Sequence, residues 1–251
     1  KTKEMIAIAE ALHERKYAEI ADEVYKRRDS VKLVLIAGPS SSGKTTTSKR
    51  IALQCKVLGL NPKVIAMDDY FVNREFTPKD ENGEYDFESI YAMDLDFLST
   101  QLNALFQGEE VELPKFDFIQ GKRVPSGHFM TLKEGDVLIM EGIHALNPEL
   151  TKHIGSEKVF RVYASALTTL SVDENNSIST ADTRMLRRMV RDNRTRGIVP
   201  EETILRWMRV RRGEERNIFP FQENADIMFN SSILFELPLL KYYAEPLLKR
   251  I

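Results

Sequence analysis

The sequence predicts an α/β fold in which a doubly wound parallel sheet is flanked by helices. Short apolar runs typical of buried parallel strands occur at 32–37, 64–67, 136–140 and 159–163. Helical periodicity between these runs supplies the crossovers that parallel strands need. Strand-forming residues at 110–133 predict a small β insertion that roofs a pocket, and arginine-rich helices are predicted at 181–194 and 200–216.

The ends of the chain complete this organisation. Residues 1–30 carry apolar side chains at helical spacing and predict an N-terminal helical extension with a bend around 13–16. Residues 31–251 predict a single domain, because neither an internal repeat nor a Gly/Ser-rich linker interrupts them. A last strand is predicted at 226–230, followed by a closing helix from Leu237.

Composition narrows the class of protein. The chain has 251 residues with 36 basic and 38 acidic side chains, and a net charge of -2 makes a nucleic-acid partner unlikely. No apolar run approaches the roughly 20 residues of a membrane span, and the start of the chain has no signal-peptide character. Cys55 is the only cysteine, so a disulfide within the chain is excluded and a reducing, cytoplasmic setting is expected. A homo-oligomer is left open.

A phosphate-binding loop is the strongest motif. Residues Gly38, Pro39, Ser40, Ser41, Ser42, Gly43, Lys44 and Thr45 match G-x-x-x-x-G-K-[ST], between a predicted strand and a predicted helix that continues with Thr46. Glycines let backbone N–H groups approach phosphate oxygens, and the helix N-terminus favours negative charge. Lys44 supplies a mobile positive charge, and the Thr45 hydroxyl is suited to Mg²⁺. The motif therefore predicts binding of ATP with Mg²⁺; a Ser/Gly-rich turn without a ligand is the alternative.

Acidic residues follow two of the predicted strands. Asp68 and Asp69 come directly after the strand ending at Met67, at the edge where open α/β sheets bind ligands. Asp68 there can accept the proton of an attacking hydroxyl and contact Mg²⁺; a helix cap or solvated turn explains the pair equally well. Glu141 ends another apolar strand, which favours a role at the metal over a structural one.

The arginine-rich helix at 181–194 is amphipathic. Arg184, Arg188 and Arg191 share one face, and such a cationic face can close over a triphosphate and neutralise charge that develops during phosphoryl transfer. A solvated face paired with Asp192 and neighbouring glutamates, or an RNA-contacting stripe, are the alternatives. We expect an arginine-rich helical lid.

Taken in order, these motifs resemble the uridine kinases of the phosphoribulokinase/uridine kinase family, which are P-loop kinases. The resemblance covers about residues 32–230 and includes further segments at 85–87, 114–118 and 141–143. It implies that Asp68 is the base toward a sugar hydroxyl; Tyr70 and Phe71, which follow the aspartates in the sequence, are expected beside the substrate because their rings can pack on it. It also implies that Asp86 holds sugar hydroxyls and that Phe116 packs on the base. Glu141 resembles the magnesium-linked acid, and Arg188, Arg191 and Arg196 resemble the substrate and lid arginines.

The chain departs from the uridine kinase pattern at three positions. Gly121 stands where that family has a base-reading histidine, Ile198 replaces an arginine, and Arg206 replaces a glutamine. A polar pocket that loses its donors discriminates far less between substrates, so pyrimidine specificity does not carry over. The chain is more similar to a divergent uridine kinase-like branch, whose members often carry an upstream domain resembling the start of threonyl-tRNA synthetases.

The sequence thus predicts an ATP-dependent kinase that phosphorylates a sugar hydroxyl of a uridine- or cytidine-like nucleoside. Lys44, Asp68, Arg188 and Arg191 are its predicted catalytic residues. A kinase of another small alcohol, such as a sugar, a sugar phosphate or a pantothenate-like compound, is the second hypothesis. A nucleotide-dependent, RNA-associated binding module is the third.

Overall fold

The computed structural model describes residues 1–152, 154–168, 173–175 and 177–251, and its centre is a five-stranded parallel sheet. The strand order is β2-β5-β1-β6-β7, so β1 lies in the middle and every neighbouring pair is parallel. The strands of this sheet are β1 (Leu33–Ala37), β2 (Asn61–Ala66), β5 (Asp136–Glu141), β6 (Val159–Ser165) and β7 (Ile227–Asn230). The predicted α/β fold with a parallel sheet is confirmed.

Helices cover both faces of this sheet. Their bounds are α1 (Thr2–Lys26), α2 (Lys44–Val57), α3 (Leu95–Phe106), α4 (Pro148–Thr151), α5 (Thr180–Arg196), α6 (Pro200–Asn217) and α7 (Glu236–Leu248). In the described part of the chain, every helix is too short or too polar to cross a bilayer.

Alternation along β1 divides the apolar core into two layers. Leu33, Leu35 and Ala37 pack on one face of the sheet with α3, while Val34 and Ile36 pack on the other face with α1 and α2. All five residues of β1 are completely buried. A strand buried on both faces has no polar positions, which is why this segment reads as a continuous apolar run.

Strand β2 begins earlier than the sequence predicts. It starts at Asn61 rather than Val64, and Met67 falls in a 3-10 turn instead of the strand. Pro62 lies within this strand, a position that proline tolerates because β2 is at the edge of the sheet. The edge position also leaves Val64 39% exposed.

Helix α1 is continuous from Thr2 to Lys26, so the expected bend around 13–16 is absent. Its first half is largely exposed, whereas Tyr17, Ile20, Ala21 and Val24 are buried in the core layer that contains Phe160 and Ile51. The second half of α1 therefore packs as part of the domain core.

The β insertion is a two-stranded antiparallel hairpin outside the main sheet. It consists of β3 (Val111–Asp117) and β4 (Lys122–Met130), and the register shifts between Glu112 and Pro114. Asp69 ties the hairpin to the end of β2, since its carboxylate accepts a hydrogen bond from the Phe116 amide (3.1 Å). This contact places the hairpin beside the carboxyl edge of the sheet.

Candidate active site

The phosphate loop connects the buried end of β1 to the start of α2. Gly38 begins the loop at a close approach to β6, where a Cβ atom would lie 1.9 Å from the Ala164 carbonyl oxygen. Only glycine fits there without moving the strand. The loop is therefore fixed directly at the carboxyl edge of the central strand, where ligands of such sheets bind.

Lys44 lies across the inside of the loop. Its ammonium donates to the carbonyl oxygens of Gly38 (2.9 Å) and Pro39 (3.0 Å). Burial lowers its pKa, and the nearby carboxylates of Glu141 and Asp68 oppose that effect. The charge is thus held at the centre of the loop, in position to meet phosphate oxygens.

The outer side of the loop is held by hydrogen bonds to its carbonyl groups. Three consecutive carbonyls accept from outside: Ser40 from Arg184 Nη1 (3.1 Å), Ser41 from Arg187 Nη1 (3.3 Å) and Ser42 from the Ser231 hydroxyl. In a trans peptide the N–H points opposite to the C=O of the same plane. Fixing these carbonyls outward turns the amides of Ser41, Ser42 and Gly43 into the loop, where the Ser42 N–H meets the Pro39 carbonyl (3.2 Å).

Thr45 and Glu141 meet at one wall of the site. The Thr45 hydroxyl donates to Glu141 Oε1 (2.6 Å). Burial raises the pKa of Glu141, while Lys44 and this hydrogen bond act in the other direction. Together with Asp68 these residues present hydroxyl and carboxylate oxygens, the donor set that Mg²⁺ prefers, so they fit the metal. In the described part of the chain no three His, Cys, Asp or Glu side chains form a metal cluster by themselves.

A cavity of about 340 Å³, the phosphate cavity, collects most of the predicted nucleotide and metal residues. Its lining includes Ser41, Ser42, Gly43, Lys44, Thr45, Thr46, Asp68, Glu141, Arg187, Arg191 and Arg196. Asp68 and Asp69, which the sequence could not separate, have different places. Asp68 is exposed on the wall of this cavity, whereas Asp69 is partly buried and holds the hairpin.

The arginines of α5 converge on one buried carboxylate. Asp192 is 1% exposed and contacts Arg188 (3.2 Å), Arg191 (2.9 Å) and Arg196 (3.4 Å). Arg188 also donates to the Ser40 hydroxyl (2.7 Å), which links α5 to the phosphate loop. The sequence leaves open whether these arginines pair with Asp192 or face a triphosphate. In the structure Arg191 and Arg196 do both: they contact Asp192 and also line the phosphate cavity.

Arg184 has a structural position that the helical pattern alone did not indicate. It is 1% exposed and forms a bidentate ion pair with the completely buried Glu214 of α6, with its guanidinium 5.5 Å from the centre of the Trp207 ring. Glu214 also accepts from the Ser40 amide (2.9 Å). Because its charge is neutralised and buried, Arg184 braces the loop and does not belong to a free cationic face.

A second, larger cavity of about 1100 Å³ lies beside the first, between the hairpin and α5. We name it the aromatic cavity, because its wall carries Phe71, Phe87, Phe116 and Phe118. The ring of Phe116 stacks edge-on against Phe71 (5.8 Å) and Phe118 (5.2 Å). Arg196 lines both cavities and lies 5.5 Å from the Phe118 ring centre.

Two residues predicted for the substrate lie elsewhere. Tyr70 is 1% exposed, and its hydroxyl donates to Gln101 (2.9 Å) within the core, so its ring is unavailable to a ligand. Asp86 lines neither cavity; its carboxylate accepts from the Glu88 amide (3.1 Å) and closes a turn of its own loop. The Asp-Tyr and Tyr-Asp-Phe strings could not show these orientations, because both depend on how the loop folds back on α3 and α6.

Glu88 is the acidic residue of this loop that approaches the site. Burial raises its pKa to about 7, with Arg188 lowering it and Glu214 raising it, and the charges of Lys44 and Asp68 also act on it. Its side chain packs against α6 at Gly213. The only sequence signal was an acid two residues beyond Asp86, which was too weak to select it.

Arg74 packs closely against Gly121 at the tip of the hairpin. Gly121 has a positive φ of 68°, and a Cβ atom there would lie 2.7 Å from Arg74 Nε. Arg74 also donates to the Phe118 carbonyl (2.9 Å) and lines the aromatic cavity. A histidine at 121 would be strained and would collide with this guanidinium, so the residues around it favour glycine at this position.

His144, which follows Glu141 closely in sequence, is completely buried. Burial lowers its pKa to about 4, so the ring is neutral near pH 7. It lines neither the phosphate cavity nor the aromatic cavity.

These features define a class of protein. A phosphate loop at the centre of a parallel sheet, with a threonine-carboxylate pair beside it and an arginine-rich helix across it, is the arrangement of a P-loop kinase.

Comparison with known proteins identifies the family. The chain belongs to the phosphoribulokinase/uridine kinase family, whose model matches residues 33–234. It is 31% identical over 197 residues to a uridine kinase of Staphylococcus epidermidis, covering 78% of this chain and 86% of the relative. A Staphylococcus aureus uridine kinase is 30% identical over 197 residues, which again cover 78% of this chain and 86% of the relative. The protein is therefore an ATP-dependent kinase.

Solved structures of kinases named for different substrates share this fold. A putative fructose transport system kinase from a Silicibacter species has a TM-score of 0.58 at 20% identity, covering 85% of this chain and 98% of the other. A D-glycerate 3-kinase from Cryptococcus neoformans has a TM-score of 0.54 at 14% identity, covering 85% of this chain and 89% of the other. At these identities the likeness concerns the fold alone.

Proposed function

We propose that this kinase transfers the γ-phosphoryl group of Mg²⁺-ATP to a sugar hydroxyl of a nucleoside-like acceptor bound in the aromatic cavity. The observation that carries the proposal is the adjacency of the two cavities, which share Arg196. A triphosphate on the loop would point its terminal group toward the junction. An acceptor on the aromatic wall would bring its hydroxyl to the same place.

Asp68 is our candidate for the general base. It is exposed on the wall of the phosphate cavity, and its charge acts on both Lys44 and Glu141, so it lies beside the centre of the site. A carboxylate in that place can hold the acceptor hydroxyl and take its proton as the oxygen attacks phosphorus. The role of Asp68 as the base, predicted from the sequence, is retained here as part of the proposal.

Lys44, the amides of the loop, Arg191 and Arg196 are proposed to hold the phosphate oxygens. Charge spreads over these oxygens during transfer, so fixed donors and cations around them lower the barrier. Thr45, Glu141 and Asp68 would hold Mg²⁺, which supplies charge neutralisation between the phosphate groups when bound. Arg188 contributes by fixing Ser40 and thereby the loop.

The aromatic wall supports a planar acceptor. Phe71, Phe116 and Phe118 form a contiguous edge-to-face cluster, and a flat base gains contact area on such a surface. The uridine kinase relatives are consistent with this choice, although Gly121 stands where the resemblance leads one to expect a base-reading histidine.

A second candidate is a kinase for a small alcohol that carries a phosphate or carboxylate group. The observation that favours it is the charge of the aromatic cavity, which is lined by Arg74, Lys115, Arg188, Arg196 and Arg206 against Asp117. The Asp117 carboxylate already accepts from the amides of Ile119 and Gln120 (both 2.9 Å). The excess of cations suits an anionic acceptor.

ADP release measured with a panel of acceptors separates the two candidates. The panel pairs neutral nucleosides with anionic alcohols such as sugar phosphates, glycerate and pantothenate. Preferential acceleration by nucleosides supports the first proposal, and acceleration by anionic alcohols supports the second. Absence of acceleration by every acceptor contradicts both.

The base is tested by Asp68→Asn. We expect turnover to fall about 10²- to 10⁴-fold while nucleotide binding is retained. Asp69→Asn is the matched control, because the amide oxygen still accepts from Phe116 and turnover should stay within about threefold. Equal turnover in wild type and Asp68→Asn removes Asp68 from the mechanism.

A further inference from the structure

We propose that α1, which lies outside the residues matched by the family model, is a working part of the nucleotide site, and that His13 is a positioning residue for the phosphate loop. The proposal concerns nucleotide binding only, so it stands or falls independently of the acceptor.

The first link joins α1 to the segment that follows β7. The His13 ring nitrogen Nε2 lies 2.9 Å from the Ser232 carbonyl oxygen, and because a carbonyl only accepts, the ring must be the donor. The ring lies between the buried side chains of Tyr17 and Phe229. Its centre is 6.2 Å from the centre of the Tyr17 ring and 5.6 Å from that of the Phe229 ring. His13 therefore fixes the backbone where the chain leaves the sheet.

The second link joins that segment to the phosphate loop. Ser231 is adjacent to the bonded peptide and donates its hydroxyl to the Ser42 carbonyl, while its own carbonyl accepts from Arg187 (3.2 Å). Arg187 in turn donates to the Ser41 carbonyl (3.3 Å) and forms a bidentate pair with Glu236 of α7. Glu236 also accepts from the Ser232 hydroxyl (3.4 Å).

This chain of contacts sets the direction of phosphate-binding amides. The Ser41 and Ser42 carbonyls belong to the peptide planes whose N–H groups are those of Ser42 and Gly43. Because the planes are rigid, holding the two carbonyls outward keeps both amides inward, where the Ser42 amide closes the turn to the Pro39 carbonyl (3.2 Å) and the Gly43 amide faces the site. If the segment at Ser231 and Ser232 shifts, the planes are free to rotate and the loop loses preorganised donors for the phosphates.

A separate contact of α1 reaches the helix that continues the loop. Glu14 pairs with Arg50 of α2 and accepts from Gln54 (3.3 Å). The residue next to His13 thus fixes α2 while His13 fixes the opposite side of the loop. Two adjacent residues of α1 therefore hold both flanks of the nucleotide site.

Three variants of the full chain test the proposal by titration calorimetry with Mg²⁺-ATP. His13→Phe keeps an aromatic ring between Tyr17 and Phe229 but removes the donor, and we expect ATP binding to weaken about five- to tenfold. His13→Gln retains a side-chain N–H at a similar reach and should bind within about twofold of wild type. Arg15→Ala, on the exposed face of the same helix, is the control and should leave binding unchanged.

A double-mutant cycle with Ser231→Ala tests the path. If His13 acts through the loop segment, the effects of His13→Phe and Ser231→Ala on ATP binding are coupled and less than additive. A purely structural role of His13 would lower the thermal midpoint and the active fraction while leaving the ATP dissociation constant unchanged. That result, or strict additivity of the two substitutions, overturns the proposal.

Discussion

The two cavities of this kinase are built by different means. The phosphate cavity is formed by a loop whose carbonyls are held by hydrogen bonds, and a buried ion pair, Arg184 with Glu214, braces this loop. The aromatic cavity is about three times larger by volume, and rings and exposed cations form its wall. A polar site in a buried setting must have its partners fixed in advance, whereas an apolar wall adapts by repacking. The molecule therefore combines a preorganised phosphate site with a more adaptable cavity, the proposed acceptor site.

The largest expected effect tests whether the buried ion pair between Arg184 and Glu214 stabilises the phosphate cavity. Glu214→Ala leaves the buried Arg184 without its counter-charge and should lower the free energy of unfolding by about 3–5 kcal/mol. Urea denaturation measures it. Glu215→Ala, whose side chain is 59% exposed, is the control and should cost under about 0.5 kcal/mol. Similar losses in both variants would show that the Arg184 pair does not hold this half of the site.

Glu88, whose carboxyl group is influenced by the charges of Arg188 and Lys44, gives the next effect. Its pKa is raised from 4.5 to about 7, so the folded chain keeps the proton that the unfolded chain releases, and stability falls as pH rises across this window. The stability of Glu88→Gln does not fall in this way, because the glutamine amide does not ionise. At about pH 8 the variant should be more stable than wild type by on the order of 2–3 kcal/mol, and near pH 4.5 the two should agree.

Thermal midpoints across pH measure the Glu88 effect. Glu84→Gln, on a side chain that is 62% exposed in the same loop, is the control and should cost under about 0.5 kcal/mol of stability. A constant offset of Glu88→Gln at every pH would contradict the burial of a titrating carboxyl at this point.

A smaller effect concerns the metal side of the phosphate cavity. Glu141→Gln removes the charge that accepts from Thr45, and the Mg²⁺ concentration for half-maximal activity should rise about 10- to 100-fold. Mg²⁺ titrations of the activity at saturating ATP give this value. Glu149→Gln, at an exposed position on α4, is the control, and an unchanged Mg²⁺ requirement in Glu141→Gln would remove Glu141 from the proposed metal site.

The smallest effect is expected in the aromatic cavity. Phe116→Ala removes the ring between Phe71 and Phe118, and the acceptor KM should rise about tenfold with little change in the KM for ATP. Phe129→Ala, 57% exposed on the same hairpin and outside the cavity, is the control. A change in the ATP KM of the same size would show that the two regions are not built independently.

The same contrast explains what the sequence could predict. The phosphate loop was read directly, because its function depends on residue types at fixed local spacing, and the apolar runs predicted the strands that carry it. The sequence predicts substrate roles for Tyr70 and, through the family resemblance, for Asp86, but the orientations of both side chains depend on contacts with Gln101 and with the turn at Glu88. Glu214, Arg187 and Ser231 brace the loop from distant parts of the chain, which local patterns do not reveal.

Arg196 stands on the shared wall of both cavities, between the ring of Phe118 and the carboxylate of Asp192. A single guanidinium with two faces cannot respond to one occupant without altering its interaction with the other. Whatever factor the acceptor contributes to nucleotide affinity through Arg196, the nucleotide must return to acceptor affinity, because the thermodynamic cycle closes. Reciprocal coupling of this kind fixes the size of the mutual effect, which is the same whichever of the two substrates binds first.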